Sequence, residues 1–353
     1  MNSALIIEVV ALLLGFYYMG QKKQDKARKN YIIIIMSLLI LESGFRAISV
    51  GPDTGNYYNW FERCKYLSWS DVSNNTMEDR DSGFGIVMKL CQLISNDFNV
   101  FLTIAALWFF IPLGVILYRY SDHIFQLIFA FTLYLGLFHI IALSGIRQQI
   151  AMGFSFCAFL LYGRNRYIYA SLLMLLGSTI HISLLLFFIV PIIHYFVNKK
   201  WYKTIHLASI LSAPMVFVSA KVLIVFMAGF ISDDYYMAYA EKEGSGAVVY
   251  IVLMELLSIF CFMAINREYV LKIDKISYLY INLPLITFFV PLITLDGTLI
   301  RIGQYFTMYM MLLFPFAVDL LSNKKLNYVF YLIPIFILIV AMYQSPIKYE
   351  FCF

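Results

Sequence analysis

The sequence predicts an all-α polytopic membrane protein, and three observations predict it. The chain has 353 residues, of which 62% are hydrophobic and only 13% charged, with mean hydropathy +0.79. A soluble domain carries about 25% charged residues. Apolar runs recur along the whole length, each near the ~20 residues that cross a hydrocarbon core of about 30 Å. The runs are continuously apolar, whereas barrel strands alternate, which argues against a β-barrel.

Taken in order, the spans fall near 3–20, 31–50, 99–117, 124–143, 147–162, 168–180, 181–197, 204–225, 248–266, 276–295, 299–321 and 326–343. The first run, Ala4 to Met19, is followed by the basic QKKQDKARKN and not by a small-residue cleavage site, so it reads as a span. Residues 168–197 form one apolar stretch between GRNRY and NKKWYK. One tilted helix would put those basic segments on opposite sides. A hairpin turning near Ser178–Ser183, with His181 at its tip, puts six basic segments on one side: 21–30, Arg119, 163–167, 198–203, 267–275 and 322–327. That side then holds sixteen of the 26 Lys/Arg and four of the 21 Asp/Glu. Cytoplasmic loops concentrate positive charge, so the hairpin is favoured. Its arms are short, and a partly re-entrant hairpin is also allowed where protein or a water-filled cavity surrounds it. The expected architecture is a single integral membrane domain, 1–353. It has about twelve transmembrane helices, both termini outside, and two large outer segments, 51–98 and 226–247.

The segment 51–98 carries two amphipathic patterns. Tyr57, Trp60, Phe61, Cys64 and Leu67 share one helical face, and Phe84, Val87, Met88, Cys91 and Ile94 share another. Both predict helices lying in the membrane interface. The five cysteines form no CxxC motif and no Cys/His cluster, so no metal or other cofactor is expected. Cys64 and Cys91 share the outer segment, where a disulfide between them is allowed. No nucleic-acid partner is expected; the surrounding lipid is.

The remaining polar groups gather on the outer face. Asp53 stands in GPDTGNYY, Arg80 and Asp81 in MEDRDSGF, Arg147 in SGIRQQIAMG, His181 in the hairpin turn, and Asp296 and Arg301 in TLDGTLIRIGQYF. Each has a plain structural reading. Arg147 can snorkel at a helix end, Asp53 can serve as a turn or N-cap residue, and Asp296 has the same alternative before Gly297. His181 can be a satisfied core histidine beside Ser178, Thr179 and Ser183. Glu8, His139, Glu255 and Asp319 read as packing or helix-pairing residues. Against snorkelling, IRQQ places Arg147 beside Gln148 and Gln149 in one turn. Arg301 likewise has Gln304 and Tyr305 one turn on, on its own face. Two such arginines suit a phosphate or pyrophosphate, which guanidinium binds bidentately while staying charged in a poor dielectric.

GPDTGNYYNWF, SGIRQQIAMGFSF, HISLLLFFIVP and IRIGQYFTMYMMLLFP occur in the order seen in the EpsG-like O-antigen and capsule polymerases, and the chain resembles that family from about residue 45 to 316. One departure is DRDSGF, where the family often has an acidic residue, a small residue or Pro, then Gly. This bears on Asp81. The resemblance implies a GT-C-like, metal-independent glycosyltransferase of the Wzy-dependent pathway in the bacterial inner membrane. Its active site would face the periplasm, joining oligosaccharide repeat units carried on undecaprenyl pyrophosphate. A chain-length regulator and a flippase are the candidate protein partners. Arg147 and Arg301 match the family's two arginine motifs and are expected to hold the leaving pyrophosphate. His181 and Asp53 match family positions and are both candidates for the general base. Tyr57 and Tyr58 are candidates for stacking on sugar, with interfacial anchoring as the alternative. A transporter or flippase of the same lipid-linked sugars is the rival reading. It would call for repeated halves with interrupted helices, and no such repeat is evident. A membrane acyltransferase using His181 is a third, and it would call for polar groups reaching the cytoplasmic side.

Overall fold

The computed structural model describes residues 3–73, 82–197, 199–231, 248–265, 279–291, 300–321 and 349–352. Arg80, Asp81, Asp296, the expected span 326–343 and most of the segment 226–247 lie outside them. The described residues are helical throughout, with no strand beyond one isolated bridge between Arg46 and Phe351. Two compact units form, Met1–Leu185 with Lys324–Phe353, and Leu186–Asn323.

The first unit contains α1 (Ser3–Met19), α2 (Gln24–Gly44), α3 (Thr54–Cys64), α4 (Trp69–Ser73), α5 (Ser82–Gln92), α6 (Phe98–Tyr120), α7 (Ile124–Leu137), α8 (His139–Leu143), α9 (Ile146–Tyr162) and α10 (Tyr167–Ser178). α6 is its centre and packs against both α2 and α9, while α1 packs on α2 and α7. Lipid tails are as apolar as the side chains, so burial supplies little drive between spans, and close approach and polar contacts hold them. Gly153 of α9 shows the first device, since a Cβ there would collide with the Trp108 ring and lie 2.6 Å from its carbonyl oxygen. Glu8 shows the second. It is buried on α1 and accepts a hydrogen bond from Thr132 of α7. That agrees with its expected role in helix pairing.

The basic segments of this unit meet at one end. Arg28 donates to the Ser121 carbonyl, Tyr118 donates to Asp25 at 2.9 Å, and Arg119 donates to the Gly163 carbonyl at 3.3 Å. At the opposite end, Asn99 donates to the carbonyls of Gly44 and Arg46, and Ser43 to that of Ala142. The polar residues near Asp53 and Arg147 belong to this second end.

Several boundaries differ from the expectation. α2 begins at Gln24 and stops at Gly44, so residues 45–50 are not helical. The expected span 124–143 is broken at Phe138 into α7 and α8. The stretch 168–197 is not one helix. α10 ends at Ser178, the chain turns through Thr179–His181, Leu184 comes back against Gly177, and a 3-10 helix follows over Ile182–Phe188. α3 and α5 exist and bury Tyr57, Phe61, Cys64, Phe84, Met88 and Cys91. Leu67 and Ile94 fall outside them, and Ile94 is exposed. Cys64 and Cys91 are free thiols, and burial raises both, Cys91 to about 11.

The second unit contains α11 (Ile189–Phe196), α12 (Tyr202–Ile231), α13 (Val248–Ala264), α14 (Asn282–Phe289), α15 (Ile300–Thr307) and α16 (Met310–Leu321). Buried His206 of α12 lies 3.0 Å from the Ser258 hydroxyl, which lies 3.0 Å from that of Thr287, so one polar chain ties α12, α13 and α14. Around α15, Phe306 stacks on Phe289 at 5.1 Å and on Phe187 at 6.2 Å.

Two described helices, Phe98–Tyr120 and Arg301–Leu321, are long and apolar enough to cross a membrane. The pair Ile182–Phe196 and Lys199–Val216, bent by 115°, makes a third if it is one span. Ser3–Met19, Ile124–Leu137, Tyr167–Ser178 and Tyr250–Ala264 are shorter apolar helices.

Candidate functional site

In the first unit, four elements converge at the end remote from the basic loops. α9 starts at Ile146 after Gly145, which makes no side-chain cap. Arg147 therefore sits in the first helical turn, half-buried, where the helix dipole is already positive and disfavours a cation. Its guanidinium carbon lies 5.1 Å from the Trp60 ring centre and 6.0 Å from that of Tyr57. Both rings belong to α3. Tyr57, Trp60 and Phe84 of α5 pack edge to face, with centres 5.3 to 6.4 Å apart. An aromatic wall thus carries the charge where the backbone does not.

Asp53 occupies the N-cap position of α3 but makes no capping bond; its carboxylate instead accepts from the Ser144 hydroxyl at 3.3 Å. Gly51 makes this approach feasible. Its φ is +87°, and a Cβ there would collide with the Leu143 carbonyl oxygen. Thr54 donates to that same carbonyl at 3.1 Å. The 51–54 turn is therefore pinned to the α8–α9 junction, with Asp53 on one side of it and Arg147 three residues beyond Ser144. Gly51→Ala is expected to cost about 1–3 kcal/mol in strain and to move the turn. The check is a lowered melting temperature together with lost activity. Unchanged values would show that the close approach is not needed.

Gln148 and Gln149 are both buried, and Gln149 donates to the Ser43 hydroxyl at 3.4 Å. The IRQQ turn thus splits, with Arg147 half-buried against the aromatics and Gln149 reaching α2. Tyr57 is only 3% exposed, enclosed by Trp60, Phe84 and Arg147, so Trp60 is the partly open aromatic at this place. His181 stands half-buried in the turn after α10. That turn reaches the same neighbourhood through α5, since the Gly83 amide donates to the Thr179 carbonyl at 3.0 Å.

Beneath the site lies a buried charged group absent from the sequence expectation. Arg46, just past α2, is 1% exposed. One guanidinium nitrogen donates to the carbonyl and hydroxyl of Ser43, while Nε and the other terminal nitrogen have no hydrogen-bond partner. Glu42 and His139 pair at 2.8 Å, both buried. Tyr349 donates to the Glu42 carbonyl at 2.6 Å, and the Ala47 amide donates to the Glu350 carbonyl at 2.9 Å, so the C-terminal residues close over this cluster. The available signal is ESGFR itself, with two opposite charges four positions apart at a span end.

In the second unit, Arg301 is half-buried in the first turn of α15, with Gln304 and Tyr305 buried one turn on, as the spacing implies. The Gln304 side-chain oxygen has no hydrogen-bond partner. Among the described residues, no group of three or more His, Cys, Asp or Glu is placed to hold a metal.

Apolar span-length helices, with an aromatic-backed arginine at the start of α9, mark a membrane protein. The model of the EpsG family matches residues 29–351, nearly the whole chain, and the protein belongs to that family. Membership points to a polysaccharide polymerase with glycosyltransferase-like activity. No curated protein and no solved structure matches.

Proposed function

We propose that the protein polymerises oligosaccharide repeat units carried on undecaprenyl pyrophosphate, at the periplasmic face of a bacterial inner membrane. The observation that carries the reading is Arg147. A guanidinium in the first turn of a helix is placed against the helix dipole, and two positive features then face the same place. An anionic substrate group is favoured where they meet. The aromatic wall of Tyr57 and Trp60 keeps the arginine from the bulk solvent into which a snorkelling side chain would extend.

In the proposed step a hydroxyl of the acceptor unit attacks the anomeric carbon of the donor glycan. The bond from that carbon to the pyrophosphate oxygen breaks, and the lipid pyrophosphate leaves with the electron pair. Arg147 stabilises the charge that develops on the leaving oxygen. Asp53 takes the hydroxyl proton, and the carboxylate is held toward the α8–α9 junction by Ser144. Trp60 offers a face to sugar. Gln148, beside Arg147, and Arg301 with Gln304 and Tyr305 are further contacts to anionic or hydroxyl groups of the substrate, on sequence grounds. Arg80, Asp81 and Asp296 stay as substrate-contact candidates on the same grounds.

The test of the base uses purified protein and its lipid-linked repeat unit, with polymer resolved on a gel. Asp53→Asn is expected to lower turnover by about 10²–10⁴ with substrate binding retained. His181→Gln is expected to lower it less. The reverse order would assign the base to His181, and retention of normal turnover in both would remove base catalysis from this site.

A further inference from the structure

We propose that the cleft between α6 and α9 seats the polyisoprenoid chain of the carrier lipid, with its phosphate end at Arg147. This rests on the reading above. The cleft has a volume of about 640 Å³, within the range of ligand pockets. Its lining side chains are all apolar, running from Val87 and Phe101 to Val115 on one wall and from Ile150 to Leu160 on the other. Phe101 and Val115 are fourteen residues apart on α6, so the cleft extends about 21 Å along the helix, most of one hydrocarbon core of about 30 Å.

The charge one helical turn from its α9 end points to the occupant. Arg147, Ile150, Phe154 and Cys157 recur at helical spacing on α9, and the last three line the cleft. Arg147 therefore sits one turn before the first lining residue of α9, on the same helix face. The aromatic wall makes the same junction from the other side. Trp60, 5.1 Å from the guanidinium, packs on Phe84, and Phe84 packs at 6.0 Å on Phe101, which lines the cleft. A cation on aromatic rings thus adjoins a long apolar slot through the packed rings of Phe84 and Phe101. Its complement is an amphiphile with an anionic head and one long hydrocarbon chain. The Trp108 ring lies across Gly153, so the slot is lined by both helices where they pack closely. At the far end Arg119 donates to the Gly163 carbonyl. An ordinary phospholipid entering from that end is the competing occupant that the test must separate.

The functional consequence is orientation. A chain seated along α6 and α9 fixes the pyrophosphate beside Arg147 before any sugar contact is made. Binding free energy from the unreacting tail is then available to position the anomeric carbon near Asp53.

The experiment measures binding to the purified full chain of two ligands with the same head and different tails, undecaprenyl pyrophosphate and dimethylallyl pyrophosphate. The first should bind at least roughly tenfold more tightly, since burying even two further methylenes accounts for that ratio. Cys157→Trp fills the slot and should bring the ratio close to one while leaving dimethylallyl pyrophosphate binding within about twofold. Val115→Trp, at a more exposed position on the other wall, repeats the test if Cys157→Trp fails to fold. Arg147→Ala should weaken both ligands by the same factor. A long-chain preference that survives in folded Cys157→Trp and Val115→Trp overturns the proposal. So does full displacement of undecaprenyl pyrophosphate by equimolar phosphatidylglycerol, which would mark an ordinary lipid groove. The assay needs no turnover. If the tryptophans abolish the preference but the protein makes no polymer, the cleft stands and the polymerase reading falls. If polymer forms and the preference is unaffected, the reverse holds.

Discussion

Arg147→Ala is expected to insert and fold normally and to yield single repeat units in place of long glycan. The fold should tolerate it for two reasons. The substitution removes cation–aromatic interactions with Trp60 and Tyr57 at a half-buried position, worth about 0.5–2 kcal/mol. Removing a cation from the first turn of α9 also relieves an unfavourable dipole interaction of about 0.3–1 kcal/mol. The two effects oppose each other. Activity has no such offset. Deleting one donor that stabilises developing negative charge lowers turnover by roughly 10²–10³, and a polymer of n units needs n − 1 successive turnovers. The ladder therefore collapses to its lowest rungs even where a single transfer is still detectable. Arg147→Lys keeps the charge but loses the planar fork, so it should restore short ladders only. The measurement is the chain-length distribution from purified protein and lipid-linked repeat unit, beside a melting curve for each variant. A normal ladder from well-folded Arg147→Ala would remove Arg147 from the leaving-group role. Transfer of the lipid-linked unit across a bilayer without polymer would turn the reading to a transporter.

The parts of this fold legible in the sequence are those governed by local pattern. Apolar runs mark α6, α9 and α13 because lipid forces a span to satisfy its own backbone and to present apolar side chains nearly all round. The stripe of Tyr57, Phe61 and Cys64 marks α3, since one buried face imposes the 3.6-residue period. Boundaries are less legible. Residues 45–50 are apolar enough to continue α2, yet the helix stops at Gly44, where Asn99 and the C-terminal residues take up the freed backbone groups. Those partners lie about 50 to 300 positions away in the chain, and no local pattern carries them. The same holds for the site. Arg147 is conspicuous in the sequence because three long polar side chains in a span have few plain explanations. Its aromatic partner Trp60 reads only as part of an amphipathic face, because nothing in a single sequence says which helix that face meets. His139 reads as a packing residue, and the structure gives that role its content in the pair with Glu42.

That pair leads to the largest expected effect on stability. Glu42→Leu is expected to destabilise the protein by about 3–5 kcal/mol, the usual result of breaking a buried charged pair from one side. The reason is Arg46 more than His139. A guanidinium does not give up its proton at ordinary pH. Arg46 is fully buried with two nitrogens unpartnered, and Glu42 is one of the groups whose field acts on it. Without that carboxylate the cation remains in a poor dielectric with only the Ser43 oxygens as acceptors. Arg46→Met, of similar length and no charge, removes the cation and its desolvation together, so it should be far milder than Glu42→Leu. The double variant Glu42→Leu with Arg46→Met should then be more stable than Glu42→Leu alone, a reversal that additive effects cannot produce. Melting of the four proteins in one detergent gives the cycle. Additive losses would mean that Arg46 is compensated elsewhere. A double variant that regains the fold but not polymer formation would place Glu42 and Arg46 together among the groups that the activity requires, and the single Arg46→Met variant would separate them.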